Sequence, residues 1–130
     1  MGLKDRRKKG WRRLFRSFIY AGRGLCYVVK EEQNMRFHLL AAAVMIILGL
    51  SFAIPLLHWM MLVLVIGGMF ALETINTAIE RVVDFITEDY HPMAKLAKDI
   101  AAAGVLVYSI VAVIIGIFIF YRPIIDLFSG

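Results

Sequence analysis

The sequence predicts an all-α integral membrane protein, in which an N-terminal amphipathic helix on the membrane surface is followed by three transmembrane helices. Of the 130 residues, 61% are hydrophobic, and the mean hydropathy is +0.76, well above the values typical of soluble domains. The charged residues gather near the N-terminus and in one later loop. Since the other residues are too few for a separate soluble core, we expect residues 1–130 to form a single membrane domain.

The first element is predicted over residues 4–30, where a basic segment leads into an amphipathic pattern. From Trp11 to Val29, apolar residues recur at spacings of three and four, which places them on one face of a helix. A helix lying on anionic lipid fits this pattern. Nucleic-acid binding is the alternative for the basic segment, but so apolar a chain favours the lipid bilayer, and no nucleic-acid partner is expected.

Three transmembrane helices are predicted over residues 33–54, 58–86 and 93–121. Pro55 marks the end of the first, because proline cannot continue a helix. The apolar stretch from Trp59 to Leu72 is about 14 residues long, short of the roughly 20 that a bilayer requires. The second helix must therefore continue through the polar residues that follow, to near Ile86.

A polar stripe on this second helix is the strongest candidate for a functional site. At about 100° per residue, its members fall on one helix face. Carboxylates close to hydrocarbon are costly, and they persist where they face a protein interior or take part in chemistry. The alternative is an ordinary amphipathic helix that leaves the membrane with its carboxylates in water. The stripe consists of Glu73, Asn76, Thr77, Glu80 and Asp84.

The distribution of basic residues predicts the orientation of the chain. Eleven Lys and Arg residues precede the first apolar run at Leu39, three lie where the chain returns to the same side, at the end of the second helix and the start of the third, and only Arg122 follows the third. By the positive-inside rule, the N-terminus and the side with 14 of these 15 residues are cytoplasmic. The polar stripe, Glu32 and the face from His91 to Asp99 then meet at the cytoplasmic boundary.

The side chains that meet there predict phosphoryl transfer from a nucleotide to a membrane-borne alcohol. Clustered oxygen ligands suit magnesium, which takes one or two carboxylates together with substrate phosphates. A lysine would neutralise phosphate charge, and a spare carboxylate would accept a hydroxyl proton. A proton or cation pathway would use the same carboxylates and stays open as an alternative. The groups are the carboxylates of Glu32, Glu73 and Glu80, the amide of Asn76, and the neighbours Lys98 and Asp99.

Three segments resemble the bacterial family of small membrane kinases that contains diacylglycerol kinase and undecaprenol kinase. They read K-E-E-Q-N-M-R-F-H from Lys30, E-T-I-N-T-A-I-E-R-V-V-D from Glu73, and Y-H-P-M-A-K-L-A-K-D-I-A-A-A from Tyr90. The second segment is the most specific, and the resemblance covers nearly the whole chain. It implies a homotrimer of three-helix subunits, each with an amphipathic surface helix, and active sites shared between subunits near the cytoplasmic face.

The resemblance also implies roles for individual residues. Glu73 would be the catalytic base on the lipid hydroxyl, with Asn76 assisting it, and Glu32 and Glu80 would bind Mg²⁺. Lys98 would lie at the phosphates of ATP and Asp99 nearer the nucleoside. The full set of expected ATP contacts is Arg13, Tyr20, Glu32, Glu80, Asp89, Tyr90, His91, Lys98 and Asp99.

The lipid substrate would contact Glu73 and the position of Ala102. Diacylglycerol kinases of the family tend to have a serine at the position of Ala102. The alanine therefore favours the undecaprenol kinase branch for this chain. The segment from Asn34 to His38 also resembles the undecaprenol kinase branch more than the diacylglycerol kinases. We therefore expect an ATP- and magnesium-dependent kinase of the bacterial cytoplasmic membrane that converts undecaprenol to undecaprenyl phosphate. A diacylglycerol kinase making phosphatidic acid is the nearer alternative, and a non-enzymatic pore or transport subunit is the alternative of another class.

Overall fold

The computed structural model describes residues 10–87 and 89–129, which form four α-helices joined by short connections. Residues 4–9 of the predicted surface helix lie outside the described part of the chain. The helices are α1 (Trp11–Glu31), α2 (Gln33–Ser51), α3 (Leu56–Ile86) and α4 (Pro92–Ser129). The all-α prediction is confirmed.

Three of these helices, α2, α3 and α4, are long and apolar enough to cross a membrane. The polar residues after Leu72 continue α3 without a break, as the length argument required. Two helix ends differ from the prediction by three residues or more. The first spanning helix ends at Ser51 rather than at residue 54, and the last continues to Ser129 rather than ending at Tyr121.

The early end of α2 results from its C-terminal hydrogen bonds. Ala53 has a left-handed backbone with a φ of 48°, and the Ile54 N–H donates to the Gly49 carbonyl at 3.1 Å. This pattern closes a helix before any proline is reached. Pro55 instead caps the start of α3. At the other end, α4 continues through Pro123, which has no N–H to donate to the helix.

The apolar core lies at the end of the bundle where α2 turns into α3. Ile54, Leu62, Ile119 and Phe120 form a buried cluster there. Farther along, α3 and α4 approach closely at Gly68, where the Tyr108 hydroxyl donates to the Leu64 carbonyl at 3.0 Å. These contacts hold α3 and α4 together and leave the opposite end of the bundle to polar residues.

That opposite end, which we call the site end, is formed by the break between α1 and α2, the last turns of α3 and the start of α4. Glu32 lies at the break with an extended backbone, and Val28 is the buried residue of α1. Ion pairs from Glu32 to Arg81 and from Asp84 to Lys98 join the elements there.

Candidate functional site

The polar stripe of α3 is buried at its membrane-side end and exposed at its far end. Glu73, Asn76 and Thr77 are 1%, 7% and 2% exposed, whereas Asp84 is exposed. The alternative of a helix with all its carboxylates in water is therefore wrong for the first part of the stripe. A carboxyl group this deeply buried is expected where it faces other polar groups or a ligand.

The hydroxyl groups of this segment are satisfied locally, but its carboxylate and amide oxygens are not. Thr77 Oγ1 donates to the Glu73 carbonyl at 2.9 Å, and Thr74 Oγ1 donates to the Phe70 carbonyl at 2.7 Å. In the described part of the chain, Glu73 Oε2 and Asn76 Oδ1 are buried without a hydrogen-bond partner. Buried polar atoms are normally paired, so these two oxygens are available to a ligand.

Two further carboxylates interact electrostatically with Glu73. One is Glu32 at the break between α1 and α2, and the other is Glu80, two helical turns farther along α3. The Asn76 side-chain amide donates to Glu80 Oε1 at 3.0 Å, and Arg81 Nη2 donates to Glu32 Oε1 at 2.7 Å. The structure thus brings together the four residues predicted for catalysis and metal binding, with Asn76 and Arg81 orienting two of the carboxylates.

Three residues of this cluster were missed by the sequence reasoning. Asn34 and His38, on the first turns of α2, face the Glu73 carboxyl group, and Arg81 pairs with Glu32. The signal for the first two was a pair of polar side chains at the start of an apolar span, where polar groups are rare without a function. In the sequence, Arg81 contributes only a positive charge to the count that predicts the orientation.

A second group of predicted residues lines a cavity of about 350 Å³ between the end of α3 and the start of α4. Four of the expected ATP contacts are among its lining residues: Asp89, Tyr90, His91 and Lys98. Lys98 forms an ion pair with Asp84 rather than with its sequence neighbour Asp99. The cavity therefore combines two lysines and two aspartates with aromatic side chains, and the lysines suit the phosphates of a nucleotide while the aromatic rings suit its base.

The other predicted contacts lie on exposed surfaces of the single chain. Arg13 and Tyr20 are exposed on α1, and Asp99 and Ala102 are exposed on α4. Neither the carboxylate cluster nor the lining of the 350 Å³ cavity includes Arg13, Asp99 or Ala102.

An apolar groove of about 250 Å³ lies between α2, α3 and α4 and reaches to within one helical turn of Glu73, at Met69 and Phe70. Its lining is hydrophobic apart from His38 and Ser109. The Ser109 hydroxyl already donates to the Val105 carbonyl at 2.9 Å. The groove therefore suits a hydrocarbon chain whose polar end reaches the carboxylate cluster.

The fit of a magnesium ion can be judged from these donors. Among the described residues, no group of three or more His, Cys, Asp and Glu side chains is arranged to hold a metal ion by itself. Magnesium bound with a nucleotide needs only one or two carboxylates, because phosphate oxygens and water supply the rest. Glu32 and Glu80, each holding one oriented carboxylate beside Glu73, fit that requirement.

A helical membrane protein with a buried carboxylate and two partly exposed ones at one end of its spans, beside a polar cavity and an apolar groove, has the features of a membrane-embedded enzyme for a lipid substrate. The family model for prokaryotic diacylglycerol kinase matches residues 19–120. The chain belongs to this family of lipid kinases. This assignment excludes the alternative of a pore or transport subunit.

Individual relatives support the same assignment. The chain is 46% identical to an undecaprenol kinase of Bacillus subtilis over 92% of this chain and 97% of the relative. It is 34% identical to a diacylglycerol kinase of Synechocystis over 95% of this chain and 73% of the relative. A diacylglycerol kinase of Escherichia coli is 30% identical over 81% and 86% of the two chains.

Proposed function

We propose that this protein is an undecaprenol kinase, which transfers the γ-phosphoryl group of ATP to the hydroxyl of undecaprenol at the cytoplasmic face of the membrane. The observation that carries the choice of lipid is the apolar lining of the groove beside Glu73. A prenyl chain has no polar groups to satisfy, whereas the ester carbonyls of a diacylglycerol would lose hydrogen bonds to water in such a groove. The 46% identity to an undecaprenol kinase, against 34% and 30% to the diacylglycerol kinases above, supports the same choice.

In this proposal, Glu73 is the general base. Its unpartnered Oε2 accepts the proton of the lipid hydroxyl as that oxygen attacks the γ-phosphorus. The bond between the γ-phosphorus and the bridging oxygen breaks, and ADP leaves. Asn76 holds Glu80 through its amide N–H, and its unpartnered Oδ1 helps to orient the attacking hydroxyl group.

Glu32 and Glu80 would hold the magnesium ion of the nucleotide. When bound, the metal neutralises phosphate charge and orients the γ-phosphoryl group. The chain contributes two oriented carboxylates, one held by Arg81 and the other by Asn76. Their proximity to Glu73 supports a shared centre in which the base and the metal ligands serve the same phosphoryl group.

The 350 Å³ cavity would take the nucleotide, with Lys98 at the phosphates and Asp89, Tyr90 and His91 beside it. Asp99 is proposed to lie nearer the nucleoside. Arg13, Tyr20, Asp99 and Ala102 are exposed in the single chain, which agrees with a homotrimer whose active sites are completed by neighbouring subunits. In such an assembly, Ala102 would line the lipid substrate of a shared site.

The orientation proposed from the basic residues places the site end in the cytoplasm, where ATP is available. Helix α1 would then lie on the cytoplasmic surface of the bilayer. Its exposed aromatic side chains Trp11, Phe15 and Phe18 share one helix face and would insert among the lipids, which supports this position.

The test compares kcat/KM for undecaprenol and diacylglycerol in the same mixed micelles at equal mole fraction. We expect a higher value for undecaprenol, with diacylglycerol still a measurable substrate because a groove for one hydrocarbon chain is only modestly selective. Micelles without added lipid alcohol provide the blank for ATP consumption. A clear preference for diacylglycerol would reverse the choice of substrate. If neither lipid stimulated ATP consumption above the blank, the kinase mechanism would be contradicted for both substrates.

A further inference from the structure

Arg81 follows Glu80 on α3 and holds the Glu32 carboxylate. Its guanidinium bridges two elements. Nη2 donates to Glu32 Oε1 at 2.7 Å, and Cζ lies 5.7 Å from the centroid of the Tyr27 ring on α1. The side chains of Arg81 and Glu32 are 47% and 19% exposed, so the pair is partly withdrawn from water. An Arg at this place acts directly on a proposed metal ligand.

The backbone of Glu32 does not fix the direction of its carboxylate. Glu32 lies between α1 and α2 with φ −97° and ψ 120°, outside both helices. Its N–H donates to the Val28 carbonyl, but its side chain forms no capping hydrogen bond to the first turn of α2. The orientation of the carboxylate is therefore set by its side-chain partner, and that partner is Arg81.

The electrostatics of the cluster explain why a cation is placed there. The carboxyl group of Glu73 interacts electrostatically with those of Glu32 and Glu80. Within the described residues, Glu80 receives its hydrogen bond from the neutral amide of Asn76, and His38 faces Glu73. Like charges repel one another, and an adjacent guanidinium lowers the cost of keeping a carboxylate ionised.

We propose that Arg81 is the counter-cation of Glu32, which positions and neutralises that carboxylate until the metal of the nucleotide takes its place. The proposal rests on the proposed function, because it concerns the same metal ligand. Arg81 and a divalent cation are attracted to one carboxylate, so each weakens the binding of the other. Arg81 is accordingly a positioning residue that raises the concentration of free metal needed to occupy the site.

The first experiment measures binding of Mn²⁺, as a probe for magnesium, to the full-length protein in detergent without nucleotide or lipid. Electron paramagnetic resonance reports the free ion. Arg81→Gln is expected to bind Mn²⁺ about 2- to 5-fold more tightly, a range that corresponds to the loss of one partly exposed ion pair. Arg81→Lys keeps the charge and is expected to stay within about twofold of the unaltered protein.

Two controls separate this effect from a general change of charge. Arg122→Gln removes one positive charge at the other end of the bundle and should leave Mn²⁺ affinity unchanged. In a Glu32→Gln background, Arg81→Gln should have no further effect, because the two substitutions act through one contact. Unchanged or weaker Mn²⁺ binding by Arg81→Gln would overturn the proposal.

A second measurement uses the unaltered protein and so does not depend on the folding of any charge-removing variant. The Arg81 side-chain N–H resonance, assigned by its absence in Arg81→Lys, should shift when Mg²⁺ is added. A resonance that does not respond to saturating Mg²⁺ would refute displacement of the guanidinium. Failure of the unaltered protein to phosphorylate either lipid would count against the proposed function, whereas an active kinase with unaltered Mn²⁺ affinity in Arg81→Gln would refute the role of Arg81 alone.

Discussion

Glu73 combines two properties that are unusual in one residue of a membrane protein. Its side chain is 1% exposed, and one of its carboxyl oxygens has no hydrogen-bond partner within the described residues. An unsatisfied buried acceptor costs about 1 to 3 kcal/mol. Neighbouring Thr74 and Thr77 avoid that cost by donating to carbonyls in their own helix. The contrast points to Glu73 as a residue retained for chemistry rather than for packing.

Glu73→Gln tests the role of the base. Gln keeps the size of the side chain but accepts a proton poorly, so kcat should fall by about 10²- to 10⁴-fold while nucleotide binding stays near that of the unaltered protein. Steady-state kinetics on undecaprenol and equilibrium binding of a nucleotide analogue measure the two effects. The matched control is Glu31→Gln, at an exposed glutamate on the last turn of α1, which should keep full activity. Near-normal turnover in Glu73→Gln would show that Glu73 is not the general base.

The sequence allowed the polar stripe to be predicted because its members belong to one helix, where spacing alone determines the shared face. The pairing of Glu32 with Arg81 joins residues 49 positions apart, and no periodicity relates them. The same is true of His38 and Glu73, which lie on different helices. Contacts of this kind depend on how two helices are rotated against each other, which a single sequence does not reveal.

Among the helices, α3 and α4 form the main packed pair, and their close approach depends on one glycine. A methyl group at Gly68 would overlap the Tyr108 hydroxyl, which donates to the Leu64 carbonyl of α3. The adjacent Gly67 has no neighbouring atom within 4 Å of the same added methyl group. Two consecutive glycines in one helix thus have different structural roles.

Gly68→Ala should therefore lower the free energy of unfolding by about 1 to 3 kcal/mol, because the Tyr108 ring must move and lose its hydrogen bond. Gly67→Ala should be neutral or slightly stabilising, since alanine favours a helix over glycine. Unfolding in mixed micelles of increasing SDS content measures both. In a Tyr108→Phe background the cost of Gly68→Ala should shrink, and equal stability of the two glycine variants would contradict this account of the interface.

The helix boundaries show the limit of prediction at this scale. The end of α3 could be predicted because its apolar stretch is shorter than a bilayer span, so the helix has to continue into the polar residues. The end of α2 did not, because it depends on a left-handed Ala53, a conformation that alanine rarely adopts and that no residue pattern announces. Pro123 was expected to lie beyond a helix end, yet the preceding turns of α4 hold it in the helix.

For the whole molecule, the proposed orientation can be tested by single-cysteine labelling. The chain has one cysteine, Cys26, so Cys26→Ala provides a cysteine-free background. Lys30→Cys lies at the site end, and Ser51→Cys lies at the other end of α2; both positions are exposed. In cells or spheroplasts with an intact and accessible cytoplasmic membrane, an impermeant maleimide should label Ser51→Cys and not Lys30→Cys. Inverted membrane vesicles should give the opposite result. Labelling of Lys30→Cys in intact cells would place the site end outside.

The short length of α2 has a consequence for the bilayer in which the protein works. Its 19 residues span roughly 28 Å, close to the thickness of a hydrocarbon core, whereas the 31 residues of α3 and the 38 of α4 exceed that thickness. Helices α3 and α4 can project beyond a thinner or thicker bilayer. Helix α2 cannot lengthen, because an extended Glu32 bounds one end and the Ala53 turn bounds the other.

A bilayer thicker than α2 would therefore compress around the helix or draw Glu32 toward hydrocarbon, and a thinner one would lift it away from the lipid hydroxyl. In vesicles made from phosphatidylcholines of increasing acyl chain length, kcat should pass through a maximum near a core thickness of about 28 Å. A rate independent of chain length would show that α2 adjusts its tilt without moving Glu32. The depth at which phosphoryl transfer takes place is in this sense a property of the protein and the membrane together, with hydrophobic thickness acting as a physical control on the reaction.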